Sequence, residues 1–450
     1  MLCFMADSFY ERSLTIKLNQ WADDISSPGL ILYGSRLTGK TSLVENFARR
    51  FRHYIRLDLK DPADLRIFHL QGTGSEWFDT LCFLKEKDPF SGNTLIFLDN
   101  AGDDTELIRP ALELPGLNPR IKIILSSASE RSEIPRDFST LCLRPFSFTE
   151  FLNAYGNAES IEAFNEVPFP VGGFHKLLMM FHQYSLIGGM PAIVKKFVET
   201  HSMSSLKPVY ESTLRELFND IENTSFRQNK KDLLMMTLQN AFMYAGTRIK
   251  FHAFGNVPYG SREMAQVFRY LEHSMLLGLN YPTLTTEPPI LDDKTRFPRL
   301  QMPDTGMMSY FSGIQKQMIL AMDLNALFEG QVLRHVVGQE LLSGQYKAPG
   351  RLDYWVGGAQ SLAEVDYIIP FEDLIIPVVV RSGEPGRLRS LQQFIDHAPH
   401  PFAIRLYAGN VNIRKTETLR GKQYYLLSLP YFLACRITEH LSGFIRYVSS

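Results

Sequence analysis

The sequence predicts an α/β protein built on a parallel sheet, and three stretches predict it. Leu30-Ile31-Leu32-Tyr33 reads as a short buried strand, and Ser42 to Arg50 as a helix with Leu43, Val44 and Phe47 at helical spacing. Between them Gly34-Ser35-Arg36-Leu37-Thr38-Gly39-Lys40-Thr41 fits the pattern G-x-x-x-x-G-K-S/T without a mismatch. Thr94-Leu95-Ile96-Phe97-Leu98-Asp99-Asn100 is an apolar run that ends in an acid, and Arg120 to Ser127 is another that ends in hydroxyls. Buried strands alternating with helices are the pattern of a parallel sheet covered on both faces.

The glycine loop carries the chemistry. Gly34 and Gly39 let the backbone wrap a phosphate chain where a side chain would collide. Successive N–H groups and the helix N-terminus then face the anion. The expected ATP-binding segment is therefore Gly34, Ser35, Arg36, Leu37, Thr38, Gly39, Lys40, Thr41 and Ser42. Lys40 reaches the β- and γ-phosphates, and Thr41 offers a hydroxyl to Mg²⁺. A buried strand delivers Asp99 at its C-terminal edge, so Thr41 and Asp99 are the expected metal residues. Lys40, Asp99 and Asn100 are the residues on which turnover depends.

Asn100 stands where hydrolytic P-loop proteins usually carry Glu. An amide can hold a water but cannot take its proton, and losing a general base costs ~10²–10⁴ in rate. Asp103, Asp104 and Glu106 follow closely enough to stand in. Ser126 or Ser127 reads either as a γ-phosphate sensor or as a plain strand end. Arg131 and Arg136 read either as arginine fingers toward a neighbouring subunit or as solvated surface charge.

The chain has 450 residues, enough for about three domains of the usual ~100–200 residues. Hydrophobic residues make up 45% and charged ones 21%, an ordinary globular balance. A formal net charge of −1 excludes a strongly basic nucleic-acid coat but not a local basic patch. Cys3, Cys82, Cys142 and Cys435 are far apart, without metal or redox spacing; they suit a reducing compartment, with Cys82 and Cys142 in the core. Met1 to Arg12 carries Asp7 and Glu11 and lacks the apolar run of a signal peptide. No stretch approaches the ~18–20 uninterrupted apolar residues of a membrane span. The expectation is a soluble, cytoplasmic protein with no membrane partner.

Along the chain, residues 8–24 read as an amphipathic helix with Leu14, Ile16, Leu18 and Trp21 on its apolar side, and Tyr54–Asp58 as a second strand. Pro145–Phe151 opens a helix whose first turn suits Thr149 and Glu150. Residues 155–175, rich in Gly, Pro and Asn, read as a connection; 176–225 read as helical, broken at Gly188-Gly189-Met190-Pro191. Asp232–Ala245, a turn at Gly246, Ser261–Leu271 and a strand at Leu276–Tyr281 suggest a winged-helix-like module. Arg262, Gln266 and Arg269 share a face there that could meet DNA, diluted by Glu263 and Glu272. Asp304-Thr305-Gly306 reads as structural. Leu327-Phe328-Glu329-Gly330 opens a helix through Leu342, and Ala363–Ile369 and Ile375–Gly383 read as strands.

This order resembles bacterial and archaeal AAA+-like ATPases with a C-terminal domain of unknown function, DUF4143. Gly34–Thr41, Leu95–Asn100, Ile123–Ala128, Leu143–Phe151 and Gly188–Pro191 carry the resemblance, which runs over nearly the whole chain. It implies an AAA+-like nucleotide domain at 1–155, a helical lid and connection at 156–230, a winged-helix-like module at 231–290 and a PD-(D/E)xK nuclease-like domain at 291–450. Glu329 and Asp366 match the nuclease outline, but its E-x-K position reads Val379-Val380-Arg381. The lost carboxylate leaves Mg²⁺ short of oxygen ligands, and Arg381 cannot shed its proton. Nuclease chemistry is not expected. Arg381, Arg387, Arg389 and Arg405 read either as positive charge for nucleic acid or as surface arginines on a scaffold. The expected function is an ATP-binding AAA+-like protein, a slow or hydrolysis-impaired ATPase whose nucleotide state acts as a conformational switch. The alternative is a nucleotide-regulated DNA-binding protein with a catalytically dead nuclease-like domain. A protein client and a homo-oligomer stay open as partners.

Overall fold

The computed structural model describes residues 10–68, 74–87, 92–102, 105–131, 133–347, 350–358, 361–381 and 388–449. Cys3, Asp103, Asp104, Ser382, Gly383 and Arg387 lie outside the described residues. The chain divides into two compact units: one reaches Arg144 and adds His273–Met275 and Tyr346–Gly350, and the other takes the rest.

In the first unit, α1 (Thr15–Asp23) leads to β1 (Gly29–Tyr33) and α2 (Lys40–Phe47). Then follow β2 (His53–Asp58), α3 (Pro62–Phe68), α4 (Gly74–Leu84), β3 (Thr94–Asp99), α5 (Thr105–Leu117), β4 (Ile121–Ser127) and β5 (Phe138–Cys142). The strands form one sheet in the order β2-β3-β4-β1-β5, every pair parallel. β1, β3 and β4 are buried at every position, so both faces must be covered and the strands read as continuous apolar runs. Alternate residues feed two cores. Ile31, Ile96 and Ile123 meet Trp77 and Leu81 of α4 and Ile108 and Leu114 of α5. Leu30, Leu32, Phe97 and Ile124 meet Leu14, Leu18, Trp21, Leu43, Val44 and Phe47.

The first helix differs from expectation. It begins at Thr15, and Ile16 is 65% exposed. Leu14, Leu18 and Trp21 are spaced four and three apart and share a face; Ile16 falls off it.

The second unit opens with seven helices: α6 (Phe148–Tyr155), α7 (Ala158–Asn165), α8 (Phe174–Ile187), α9 (Pro191–Thr200), α10 (Lys207–Glu222), α11 (Gln228–Tyr244) and α12 (Ser261–His273). The 155–175 stretch thus contains a helix, because the Asn157 side chain accepts from Ser160 N at 3.0 Å and Phe164 anchors it in the core. α6 starts with a capping box, Ser147 and Glu150 each satisfying the other's backbone N–H. Short strands β6 (Gly278–Asn280), β7 (Pro282–Thr283) and β8 (Arg299–Gln301) follow, then α13 (Thr305–Phe311), α14 (Gln315–Leu320) and α15 (Gln331–Ser343). The remainder is β9 (Asp353–Val356), β10 (Glu364–Phe371), β11 (Leu374–Val380), α16 (Arg389–His397), β12 (Phe402–Tyr407), β13 (Asn412–Glu417), β14 (Gln423–Pro430) and α17 (Ile437–Ser449).

Seven strands form the order β13-β14-β12-β11-β10-β9-β7. β10 runs antiparallel to both of its neighbours, β9 and β11, and β12 lies parallel to both β11 and β14. Leu391, Phe394 and Ile395 of α16 pack on Val365, Ile375, Val379 and Ala403 of this sheet. Glu329 does not open α15: Phe328 and Glu329 take left-handed backbone angles of φ 47 and 53, and the helix starts at Gln331. Glu329 is exposed ahead of it.

Three sequence signatures of this unit meet at one junction. Phe146 N donates to Gly189 O at 2.7 Å, and Gly189 N to Asp304 Oδ2 at 2.6 Å. Asp304 also caps α13 by accepting from Met307 N at 2.8 Å, which is the structural role expected of Asp-Thr-Gly. Nothing larger than hydrogen fits there. A Cβ on Gly189 would lie 2.1 Å from Phe146 O, and one on Gly306 1.8 Å from Ile187 O.

Candidate nucleotide-binding site

The glycine loop joins the C-terminal edge of β1 to the N-terminus of α2. Leu37 and Gly39 turn the chain through left-handed angles of φ 66 and 90, and Lys40 becomes the first helical residue. A Cβ on Gly34 would lie 2.3 Å from Leu143 O, so the residue must be glycine. Thr38 is buried, its hydroxyl donating to Ser35 O at 3.0 Å. Ser42 lies exposed in the first turn of α2. Lys40 Nζ arches back over the loop to Gly34 O at 2.7 Å and Ser35 O at 3.0 Å.

The parallel order brings Asp99 of β3 to the same edge. Thr41 Oγ1 donates to Asp99 Oδ2 at 2.8 Å, so the hydroxyl and carboxylate read as metal residues are side by side. Ser126 of β4 donates to Asp99 Oδ1 at 2.6 Å and accepts from Asn100 N at 3.0 Å, tying the strand end to the carboxylate. Ser127 turns away, donating to Ser129 O at 2.7 Å. Asn100 itself sits in the left-handed region, φ 57. Its Oδ1 accepts from Arg36 Nη1 at 2.6 Å, and its Nδ2 donates to Asp58 Oδ1 at 2.8 Å. The amide is therefore held at both ends by the loop and by β2.

Several residues of this edge were not singled out from sequence. Arg56 of β2 donates from Nη2 to Asp99 Oδ2 at 2.8 Å and pairs with Glu45 of α2 at 3.1 Å. Burial works against its charge, but the Asp99 carboxylate pushes its pKa further up. Asp58, in register with Asp99, stands 3.6 Å from Arg56. Arg12 braces the loop, donating to Thr38 O at 2.9 Å and Arg144 O at 2.6 Å. Nε and Nη2 of Arg144 are buried and meet no acceptor among the described residues. The available signal was Arg56-Leu57-Asp58: charges two apart on a strand end point to one face.

Asp99 accepts from Ser126 Oγ, Asn100 N, Thr41 Oγ1 and Arg56 Nη2. That matches the about four lone-pair sites a carboxylate has. The phosphate cradle fits a polyphosphate, but Asp99 as arranged does not fit a divalent cation, because a donor would have to leave first. Of the other candidates, Arg131 is buried and donates to Gly102 O, while Arg136 is exposed. Glu106 pairs with Arg109 on the exposed side of α5.

A family model described as domain of unknown function (DUF8612) matches residues 179–318. No curated protein matches the sequence. Among solved structures the chain is similar to the Walker-type ATPase of Pyrococcus abyssi, with 13% identity over 67% of this chain and 96% of that one, TM-score 0.43. It is also similar to a signal transduction ATPase with numerous domains from Pyrococcus horikoshii, with 12% identity over 75% of this chain and 46% of that one, TM-score 0.31. PCH-2 of C. elegans shares 15% identity over 35% of this chain and 47% of that one, TM-score 0.24.

Proposed function

We propose that the first unit is an AAA+-like ATP-binding domain whose nucleotide state acts as a conformational switch, with slow or absent hydrolysis. The observation that carries this reading is the tethering of Asn100. An amide cannot accept a proton from water, and here its oxygen faces Arg36 and its nitrogen Asp58. The loop geometry, with Lys40 over the phosphate cradle, supports binding of an anion, as do two buried Arg144 nitrogens that meet no acceptor among the described residues. A switch follows if the nucleotide has different affinity for two arrangements of the chain.

The test is ATP binding measured beside ATP turnover in wild type, Lys40→Ala and Asn100→Glu. Wild type should bind, Lys40→Ala should bind ~10-fold or more weakly, and Asn100→Glu should gain ~10² or more in turnover. Absence of binding in wild type overturns the reading. Rapid wild-type turnover, lost in Lys40→Ala and unimproved in Asn100→Glu, would mean that another base works and that hydrolysis is not impaired.

A second reading has its own observation. α12 exposes Arg262, Gln266 and Arg269 on one face while Met264, Val267, Phe268 and Leu271 are buried on the other. The order α11, α12, β6, β8 supports reading this stretch as a winged-helix-like module, and α15-β9-β10-β11-α16-β12 supports a nuclease-like outline. Both support kinship with the DUF4143 group and the finer division at 156–230, 231–290 and 291–450. In that outline Asp366 accepts from Val380 N at 2.8 Å and faces Arg334 at 3.9 Å, while Val379 is buried, so catalysis there has no carboxylate pair. Arg405 is buried against the Tyr407 ring and Arg381 O, which removes it from the surface charge. A nucleotide-regulated DNA binder would bind duplex DNA in a salt-dependent way, weakened by Arg262→Ala with Arg269→Ala. DNA affinity unchanged by that pair would exclude the α12 face.

A further inference from the structure

Asp99 is the carboxylate that a P-loop protein keeps for its metal, and here a side chain of the same chain already neutralises it. Arg56 Nη2 and Thr41 Oγ1 both donate to Asp99 Oδ2 at 2.8 Å, while Ser126 Oγ and Asn100 N fill Oδ1. The guanidinium is held from three sides. Glu45 of α2 lies at 3.1 Å, Asp58 of β2 at 3.6 Å and Asp99 of β3 at 2.8 Å. Arginine stays charged at any pH the protein meets. A divalent cation at Asp99 would therefore face a fixed like charge and would have to break an ion pair whose Asp99 side chain is 3% exposed and whose Arg56 side chain is 36% exposed.

We propose that Arg56 is the resident cation of this site, so that the nucleotide binds as the metal-free polyphosphate anion. This rests on the reading of the loop as a nucleotide site and changes the species that it takes. The positive charge a metal would bring to the phosphates is supplied by the chain instead. Lys40 lies over the loop, Arg36 projects from it to Asn100, and Arg144, the residue after the Leu143 carbonyl that lies against Gly34, has two buried nitrogens lacking an acceptor among the described residues. The arrangement is also consistent with Asn100. A site without a bridging metal, and with an amide at position 100, suits holding a nucleotide rather than cleaving it.

The experiment is a titration of fluorescent methylanthraniloyl-ATP into wild type, Arg56→Gln, Arg56→Lys and Lys40→Ala, each with Mg²⁺ and with EDTA. Wild-type affinity should change by less than about threefold on chelation. In Arg56→Gln, chelation should weaken binding by about tenfold or more, because Asp99 is then free to take the metal. Arg56→Lys keeps the charge without the planar fork and should fall between the two. A wild-type affinity that drops about tenfold or more in EDTA overturns the proposal whatever the variants do. Equal Mg²⁺ dependence in wild type and Arg56→Gln overturns it too. No wild-type binding in either condition, or binding untouched by Lys40→Ala, would instead sink the nucleotide reading itself.

Discussion

Glu340 gives the second unit a pH dependence whose size can be worked out. The residue is fully buried on α15, and its carboxylate accepts from the Tyr184 hydroxyl at 2.6 Å and from Phe148 N at 3.1 Å. Burial pushes its pKa from 4.5 up to about 7, although both hydrogen bonds pull the other way. A carboxyl whose pKa rises on folding contributes stability that is complete below the unfolded value and is lost as pH climbs through the folded one. The window here is 4.5 to about 7. At ~1.4 kcal/mol per unit the loss amounts to about 3 kcal/mol once pH is well above the window. Glu340→Gln keeps the shape and an acceptor oxygen but does not titrate. Relative to wild type it should therefore gain about 2.5 kcal/mol between pH ~5 and pH ~8, since a little of the loss has already occurred at pH ~5. Asp304, which burial pushes up to about 6, and His335, which burial pushes down to about 3, titrate in both proteins and drop out of the difference. Urea unfolding at the two pH values, followed by hydrogen-exchange protection across α6, reads this unit alone. A Glu340→Gln effect that is the same at both pH values refutes the reasoning.

Other outcomes follow from single contacts. Ser147→Ala removes the cap of α6 and should cost ~1 kcal/mol of stability in the second unit, seen in the same unfolding experiment. Phe148→Ala empties a site ringed by Phe151, Phe164, Phe181, Tyr184 and Phe432 and should cost ~3–5 kcal/mol. Gly306→Ala should abolish soluble folded protein, since the methyl has nowhere to go beside Ile187 O; normal expression and exchange protection would contradict this. Cys82 and Cys142 are buried, so a thiol reagent should label them only after unfolding.

What the sequence made legible is local. The strand, glycine loop and helix around Gly34–Thr41, the Asp99 strand and the helix opening within Pro145–Phe151 each state their geometry within about eight residues, and the structure has those elements, adding a Ser147–Glu150 capping box that was not drawn from the sequence. The misreadings are local too, and each has a competing cause. Ile16 looked apolar enough to be buried, but helical period excluded it. Prolines and glycines hid α7, whose Asn157 cap and Phe164 anchor outweigh them. Glu329 was taken for a helix residue because nothing in Leu327-Phe328-Glu329-Gly330 announces two left-handed residues before α15.

The chemistry at Asp99 was only half legible, for a topological reason. Asn100 is adjacent in sequence, so an amide in the place of the usual Glu could be seen at once. Arg56 and Ser126 lie on the two strands that flank β3, and only the order β2-β3-β4-β1-β5 makes them neighbours of the same carboxylate. The junction of Phe146, Gly189 and Asp304 is the same case, its last hydrogen bond spanning 115 residues. A motif names the residues a site should have, while the flanking strands decide what state those residues are in. At Asp99 that state is a carboxylate already paired. The presence of Thr41 and Asp99 therefore does not by itself argue for a metal, and a chelation experiment on the wild-type protein is more informative here than the motif.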